Sequence, residues 1–238
     1  EGDYMKDVAR EDIDRLVGLP REEREKLDFS RSRFSHLNLA GVDLSGLNME
    51  WSDFEDVSFA GADLTGVNLA NVRCVNTSFA AANLRDADLS GAALRGCDLH
   101  NAHIEGANLY SANLEHARLD GIVDDERTQF FRLYPPATGA FLGYKKCFND
   151  LLVQLLIPAD AKRTSATLHS CRTNKAKVLS IKNFDGSRSY DEAMSLVDPN
   201  FIYRVGQWLE VGNFNEDRWF DSTTGIHYWL TPEEAMAY

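Results

Sequence analysis

The sequence predicts a mainly β protein in which a long coiled segment precedes a small α+β domain. Large apolar residues recur at every fifth position from Phe29 to Leu119. From residue 139 onward this period is replaced by short β-rich runs that are divided by turn residues. Because a period of five fits neither a helix nor an extended strand, the first segment must wind as a solenoid.

Each five-residue repeat has two positions that are predicted to face inward. Every fifth residue is large and apolar except Cys74, and the residue two positions earlier is mostly small or β-branched. Asp or Asn often precedes the large residue, where its side chain can bond to the backbone of a corner. Glycine often follows two positions later, as Gly61 and Gly66 do, where a turn requires positive φ. Most Asp and Asn residues of the repeats are therefore structural.

The repeats Ala62-Asp63-Leu64-Thr65-Gly66 and Ala107-Asn108-Leu109 resemble those of the pentapeptide-repeat family. The resemblance covers residues 27–121 and implies a right-handed, four-sided β-helix with one repeat on each side. At a strand spacing of about 4.8 Å, nineteen repeats on four sides would build a tower roughly 23 Å tall. Residues twenty apart would then stack, which places Phe34 under Phe54 and Phe59 under Phe79.

The segments on either side of the repeats are predicted to cap the coil. Residues 4–26 are expected to form two short helices, with Gly18 ending the first and Pro20 opening the second. Residues 1–26 thus form an N-terminal helical cap, because an open first coil exposes backbone groups and apolar side chains. Residues 122–138 break the period and are predicted to be a C-terminal cap and linker.

Residues 139–238 are predicted to be an α+β domain. The expected strands cover residues 140–146, 151–157, 176–182, 201–205, 207–211 and 226–230. A final helix is expected with Thr231 as N-cap, Pro232 in its first position and Glu234 completing a capping box. The stretches 143–147 and 225–229 resemble a C-terminal module of unknown function that follows repeat arrays in phage and bacterial proteins.

Composition limits the classes of function. The 238 residues carry 37 Asp and Glu against 25 Lys and Arg, a net charge of −12, which argues against direct nucleic-acid binding. No apolar run reaches the roughly 18 residues of a membrane span, so a soluble, cytoplasmic protein is expected. The four cysteines have no CxxC spacing, and His100 and His103 lack a third ligand, so neither a metal nor another cofactor is predicted.

One acidic run of the coil is a candidate binding surface for a protein partner, whose identity the sequence does not indicate. Its carboxylates are Glu50, Asp53, Glu55 and Asp56. Trp51 interrupts the run where the repeat prefers glycine or asparagine, and an exposed tryptophan beside carboxylates is typical of an interaction hot spot. Tyr110 is predicted to lie on the same side, three coils away. The alternative is a solvated face with one irregular corner.

The function predicted first is that of a non-enzymatic scaffold, in which the coil binds a protein partner and displays residues 139–238. The family resemblance implies an alternative, because some pentapeptide-repeat proteins imitate DNA and occupy the DNA groove of type II topoisomerases. The charge of this chain has the required sign. However, Arg33, Arg73 and Arg95 are predicted to interleave with carboxylates on one side, which breaks a phosphate-like ladder.

A second alternative is a cysteine-dependent enzyme in the C-terminal domain. Its candidate residues are Cys147, Cys171 and His227, with His169 as a further imidazole. A cysteine nucleophile needs a nearby imidazole or positive charge that stabilises its thiolate. Cysteine and histidine are equally ordinary inside a small β-rich domain, so this pattern alone does not indicate catalysis. The sequence makes no prediction of the oligomeric state.

Overall fold

A computed structural model describes residues 5–24 and 26–238, apart from the side chain of Arg21. The parts of the predicted N-terminal cap at residues 1–4 and 25 therefore lie outside the described residues. The chain forms two compact units, of which the first ends at Arg132 and the second begins at Leu133. Strands predominate over helices, as the sequence predicts. Among the described residues, no helix is both long enough and apolar enough to cross a membrane.

The first unit begins with short elements. These are β1 (Lys6–Val8), α1 (Arg10–Val17), α2 (Arg21–Arg24), β2 (Ser32–Ser35), β3 (Asp53–Glu55) and β4 (Arg73–Val75). Helix α1 has Gly18 at its C-cap, as predicted, and buries Ile13 and Leu16. The prediction of a helix from residue 4 is wrong for β1, which pairs in parallel with β2. A strand forms there because the backbone of the first coil otherwise has an unpaired edge.

Successive coils pair in parallel with a register of twenty residues. Phe34 lies opposite Phe54, and Phe54 lies opposite Cys74. Isolated bridges continue the same register along the segment, for example between Asp88 and Asn108. Each coil therefore takes twenty residues, and residues twenty apart in sequence are neighbours in adjacent coils.

A residue with left-handed backbone ends each repeat. Every fifth residue from Arg31 to Gly121 has positive φ, including Gly61 at 63° and Gly66 at 64°. The predicted role of the preceding Asp or Asn is also confirmed. A carboxylate oxygen of Asp63 accepts a bond from the backbone N–H of Thr65 at 3.0 Å. Local side-chain bonds and left-handed residues thus turn the chain once every five residues.

The large residues of the repeats fill the interior of the coil. All of them from Phe29 to Leu114 are buried. The ring centroids of Phe34 and Phe54 lie 4.9 Å apart, and those of Phe59 and Phe79 lie 5.1 Å apart in a stacked pair, as the twenty-residue register predicts. Leu27 lies two positions before Phe29 and is therefore predicted to face inward, but it is exposed, because pairing with the next coil begins only after it, at Asp28.

The second unit contains nine strands and one α-helix among the described residues. They are β5 (Phe141–Cys147), β6 (Leu151–Ile157), β7 (Arg163–Ser165), β8 (Cys171–Thr173), β9 (Lys175–Asn183), β10 (Glu192–Met194), β11 (Ile202–Arg204), β12 (Trp208–Glu210), β13 (Ile226–Tyr228) and α3 (Pro232–Ala237). The sheets have the strand orders β12-β9-β6-β5, β13-β8-β7 and β10-β11. Helix α3 has the predicted capping box. Sequence analysis missed β7, β8 and β10, because their sequences RTS, CRT and EAM lie outside any run rich in β-branched and aromatic residues.

Candidate protein-interaction surface

Trp51 is exposed in a backbone conformation that its residue type does not favour. Its φ is 58°, 53% of its surface is exposed, and its N–H donates to the carbonyl of Ala70 at 2.9 Å. Left-handed backbone costs an L-residue about 1–2 kcal/mol. Glycine occupies the equivalent corner at Gly91, so the coil does not need an indole here. Folding of the repeat therefore does not account for Trp51.

The four carboxylates of the predicted surface differ in their surroundings. Asp53 is bound by the guanidinium of Arg73, with N–O distances of 2.7 and 3.1 Å. Glu50 is half-buried and accepts a bond from Asn68 at 3.3 Å. These two carboxylates are therefore engaged within the coil itself.

Glu55 and Asp56 are the exposed carboxylates of the run. Asp56 accepts a bond from the amide of Asn76 at 3.1 Å and lies 3.1 Å from Nδ1 of His36. No basic side chain among the described residues lies within 4 Å of the Glu55 carboxylate. The part of the run that is open to a partner thus consists of Trp51, Glu55 and Asp56, and we call these three residues the Trp51 surface.

Tyr110 is exposed on the same side of the coil but is not adjacent to the Trp51 surface. Parallel bridges connect Asn48, Asn68, Asp88 and Asn108, which places Tyr110 three coils above Glu50. At the usual strand spacing this separation is about 14 Å. The ring of Tyr110 packs edge-on against that of Phe130, with centroids 5.0 Å apart. Tyr110 is therefore a second exposed aromatic residue near the end of the coil.

Basic residues interleave with the acidic ones on the side of the coil that contains Asp53 and Glu55, as the sequence predicts. In addition to the pair of Arg73 with Asp53, Arg95 lies 3.5 Å from Glu115, and Arg33 lies 3.7 Å from Asp7. Opposite charges therefore alternate along this side and partly neutralise one another.

The candidate catalytic residues occupy the interior of the second unit. Cys147 on β5 and Cys171 on β8 are fully buried. Burial raises the pKa of Cys147 to about 11, and it also raises the pKa of Cys171. Both thiols are thus protonated at neutral pH, whereas a nucleophilic cysteine must be a thiolate.

The candidate imidazoles are also engaged. His227 lies on β13, next to β8, and its Nε2 is 3.0 Å from the carbonyl oxygen of Thr223. Burial lowers the pKa of His227, so the ring is mainly neutral at pH 7. His169 stacks on Tyr134, with ring centroids 4.9 Å apart. The fold therefore places Cys171 and His227 on adjacent strands but leaves the thiol unactivated.

His100 and His103, on the coil, each lie beside a carboxylate. Nδ1 of His100 is 2.7 Å from Asp98, and Nδ1 of His103 is 3.3 Å from Glu105. No group of three or more His, Cys, Asp or Glu side chains within residues 5–24 and 26–238 is arranged to hold a metal ion.

Arg172 has a structural role that sequence analysis missed. It is almost completely buried, and its guanidinium donates to the carbonyl oxygens of four residues of one long loop, at 2.8–3.0 Å. These are Asn215, Asp217, Phe220 and Thr224. An arginine in a polar stretch is normally exposed, so the sequence contains no signal for this role. Arg172 fixes the loop that precedes His227.

Comparison with known families finds two matches along the chain, in the order that the sequence analysis predicts. Residues 27–61, 58–95 and 87–122 match the model for pentapeptide repeats, and residues 131–235 match a family of unknown function, DUF5758. The chain thus contains a pentapeptide-repeat segment followed by a DUF5758 domain. No protein with curated annotation matches the chain.

Several solved pentapeptide-repeat structures are similar to part of the chain. Rfr23 from the cyanobacterium Cyanothece 51142 is 28% identical over 40% of this chain and 62% of its own, with a TM-score of 0.20. HetL from Nostoc sp. strain PCC 7120, a protein involved in heterocyst differentiation regulation, is 25% identical over 44% and 60%, with a TM-score of 0.32. QnrB1, a plasmid-mediated fluoroquinolone resistance protein, is 18% identical over 40% and 81%, with a TM-score of 0.12. The chain thus spans about 60% of the length of the first two.

Proposed function

We propose that the chain is a non-enzymatic scaffold that binds a protein partner through the Trp51 surface and displays the DUF5758 domain. In this proposal the repeats form a right-handed, four-sided β-helix whose first coil is capped by α1 and α2. A register of twenty residues with a left-handed residue at every fifth position supports four sides per coil. The filled interior supports a function at the outer surface of the coil.

The exposure of Trp51 is the observation that carries this proposal. A bulky residue in left-handed backbone is retained at a cost, and such residues concentrate at functional sites. Tryptophan is also among the residues that contribute most to the binding energy of protein interfaces. Glu55 and Asp56 would select a partner that presents basic groups around an apolar pocket.

The test compares Trp51→Asn with Ser111→Asn, a matched control at the same corner position three coils away. Asparagine tolerates positive φ, so both variants should fold. Each protein is used to capture partners from the native host, and captured proteins are quantified against the wild type. We expect Trp51→Asn, and separately Glu55→Lys with Asp56→Lys, to reduce capture of the same protein by tenfold or more, consistent with a hot spot of about 2 kcal/mol.

The control variant Ser111→Asn should capture the partner protein at the wild-type level. Equal capture by the wild type and by both Trp51-surface variants would refute the proposed surface. Thermal unfolding of each variant checks that lost capture does not reflect a lost fold.

We favour this function over DNA mimicry because of the ion pairs on the side of the coil that contains Asp53 and Glu55. Arg73 and Arg95 each neutralise a carboxylate there, whereas a DNA mimic needs uncompensated negative charge along its length. A supercoiling assay with a type II topoisomerase distinguishes the two functions. Inhibition by the wild type at micromolar concentration would favour DNA mimicry, and the scaffold proposal expects none.

A further inference from the structure

The four-stranded sheet of the second unit has one buried face and one open face. On β6, Leu151, Val153, Leu155 and Ile157 are buried, whereas the residues between them are half-buried. On the open face, one residue from each of the four strands forms a continuous row across the sheet. Leu142 pairs with Leu156, Leu156 with Lys177, and Lys177 with Trp208. We call this surface the open sheet face.

Positive charge is concentrated on the open sheet face. Strand alternation places four lysines and one glutamate on it, a surplus of three positive charges: Lys146, Lys175, Lys177, Lys182 and Glu210. The whole second unit, residues 133–238, has only 11 Lys and Arg against 12 Asp and Glu. The charge of this face is therefore opposite in sign to that of the unit.

Three of these lysines have no carboxylate partner. Lys175 is paired with Asp160 at 2.8 Å. No carboxylate among the described residues lies within 4 Å of Lys146, Lys177 or Lys182. Lys146 donates to the carbonyl of Met236 at 3.3 Å, which does not neutralise its charge. The face thus retains uncompensated positive charge beside the apolar row.

Aromatic rings lie next to these ammonium groups. Half of the surface of Trp208 is exposed, and Nζ of Lys175 and Nζ of Lys177 lie 5.5 and 5.6 Å from its ring centroid. Nζ of Lys146 lies 5.7 Å from the ring of Phe184. Surfaces that bind single-stranded nucleic acid combine aromatic rings with basic side chains. Bases stack on the rings, and lysines contact the phosphates.

We propose that the open sheet face binds single-stranded nucleic acid. A base stacks on Trp208, and the nucleic-acid strand follows β6 and β9 so that Lys177 and Lys182 contact two phosphates that are about two nucleotides apart. Lys177 pairs with Leu156 and Lys182 with Leu152, so the two lysines are about 13 Å apart along the strands, the length of about two nucleotides. This site departs from the expectation drawn from the net charge of −12, because charge is distributed unevenly.

The test measures the fluorescence anisotropy of a labelled oligothymidylate of about 20 nucleotides, a probe without secondary structure, titrated with the full chain. We expect a Kd in the range of about 1–100 µM at physiological salt, with a logarithmic salt slope near −2 for one phosphate contact by each of Lys146, Lys177 and Lys182. Trp208→Ala should weaken binding by about fivefold to 150-fold, since stacking contributes about 1–3 kcal/mol per base. Trp208→Phe should retain most of the affinity.

Charge variants test the role of the lysines. Lys177→Gln combined with Lys182→Gln should reduce the salt slope by about 1.4, which is 0.7 for each lost phosphate contact. Lys162→Gln is the matched control, because Lys162 lies in the same unit but outside this sheet and should leave binding unchanged. Trp208, Lys177 and Lys182 lie on the open sheet face, whereas Lys162 does not. Thermal unfolding of each variant checks that it folds.

Two results would overturn the proposal. One is no anisotropy change at a protein concentration of about 100 µM, the weak limit of non-specific binding. The other is full displacement of the probe by poly-glutamate whose carboxylate concentration equals the phosphate concentration of the probe. That result would assign the face to acidic proteins. A Trp51→Asn chain should bind the oligonucleotide normally, so this test does not depend on the Trp51 surface.

Discussion

Arg24, the last residue of α2, binds both the backbone carbonyl and the carboxylate of Asp43, a residue of the coil. One guanidinium nitrogen donates to the backbone carbonyl of Asp43 at 2.7 Å, and the other lies 2.6 Å from its carboxylate. The arginine side chain is almost completely buried, whereas about half of the Asp43 side chain is exposed. The bond from Arg24 lowers the pKa of Asp43 to about 2 from an ordinary value of 3.8. This contact links the N-terminal helices to the first coil.

Replacement of Arg24 by methionine should destabilise the first unit in a pH-dependent manner. Because the pKa of Asp43 is lowered in the folded state, the pair contributes its full stability above about pH 4 and loses it as the pH falls towards 2. We expect Arg24→Met to lower the free energy of unfolding by about 1–3 kcal/mol at pH 6, in line with hydrogen bonds to charged groups, and by less at pH 3. Urea denaturation at both pH values measures this difference.

Arg95→Met is the control for this prediction, because the exposed side chain of Arg95 lies 3.5 Å from the Glu115 carboxylate. A long ion pair whose arginine remains in solvent is expected to contribute about 1 kcal/mol or less. A loss of stability at Arg24 that is no larger than the loss at Arg95, or that does not shrink at pH 3, would contradict the stated role of the Arg24–Asp43 contact.

The absence of a side chain at Gly143 should be essential to the packing of the second unit. A Cβ atom at Gly143 would lie 2.7 Å from a ring carbon of Tyr228, which is fully buried. Neither partner can move freely, so we expect Gly143→Ala to lower the free energy of unfolding by about 1–3 kcal/mol through overpacking. Gly212→Ala is the matched control, since no atom lies within 4 Å of a Cβ there. Thermal unfolding that ranks the two variants equally would show that the contact is not limiting.

Cys147 and Cys171 should be inert towards thiol reagents in the folded protein. Both are buried, and burial raises the pKa of each thiol, so the reactive thiolate is scarce at pH 8. In a spectrophotometric thiol titration we expect no fast phase in buffer and reaction of all four cysteines after unfolding in urea. Rapid modification of either residue in the native protein would instead support the cysteine-dependent alternative.

The core of the coil was predictable from the sequence because its rules are local. A period of five residues places Phe34 beside Phe54, and the corner at Trp51 is recognisable because glycine or asparagine fills the equivalent position in other repeats. The same periodicity missed β1, since a strand of three residues inside a predicted helical cap has no repeat of its own. Its parallel pairing with β2 depends on the open edge that the coil presents.

The sequence by itself thus determined the coil, the left-handed corners and the order of the two segments, because each follows from residues at most twenty positions apart. Only the tertiary structure decided which acidic groups are neutralised, as Asp53 is by Arg73, and which basic groups are buried, as Arg172 is. It also assembled the row from Leu142 to Trp208, whose members are brought together by antiparallel pairing across 66 residues. Such pairings depend on the register of distant strands, and no local pattern in the sequence specifies that register.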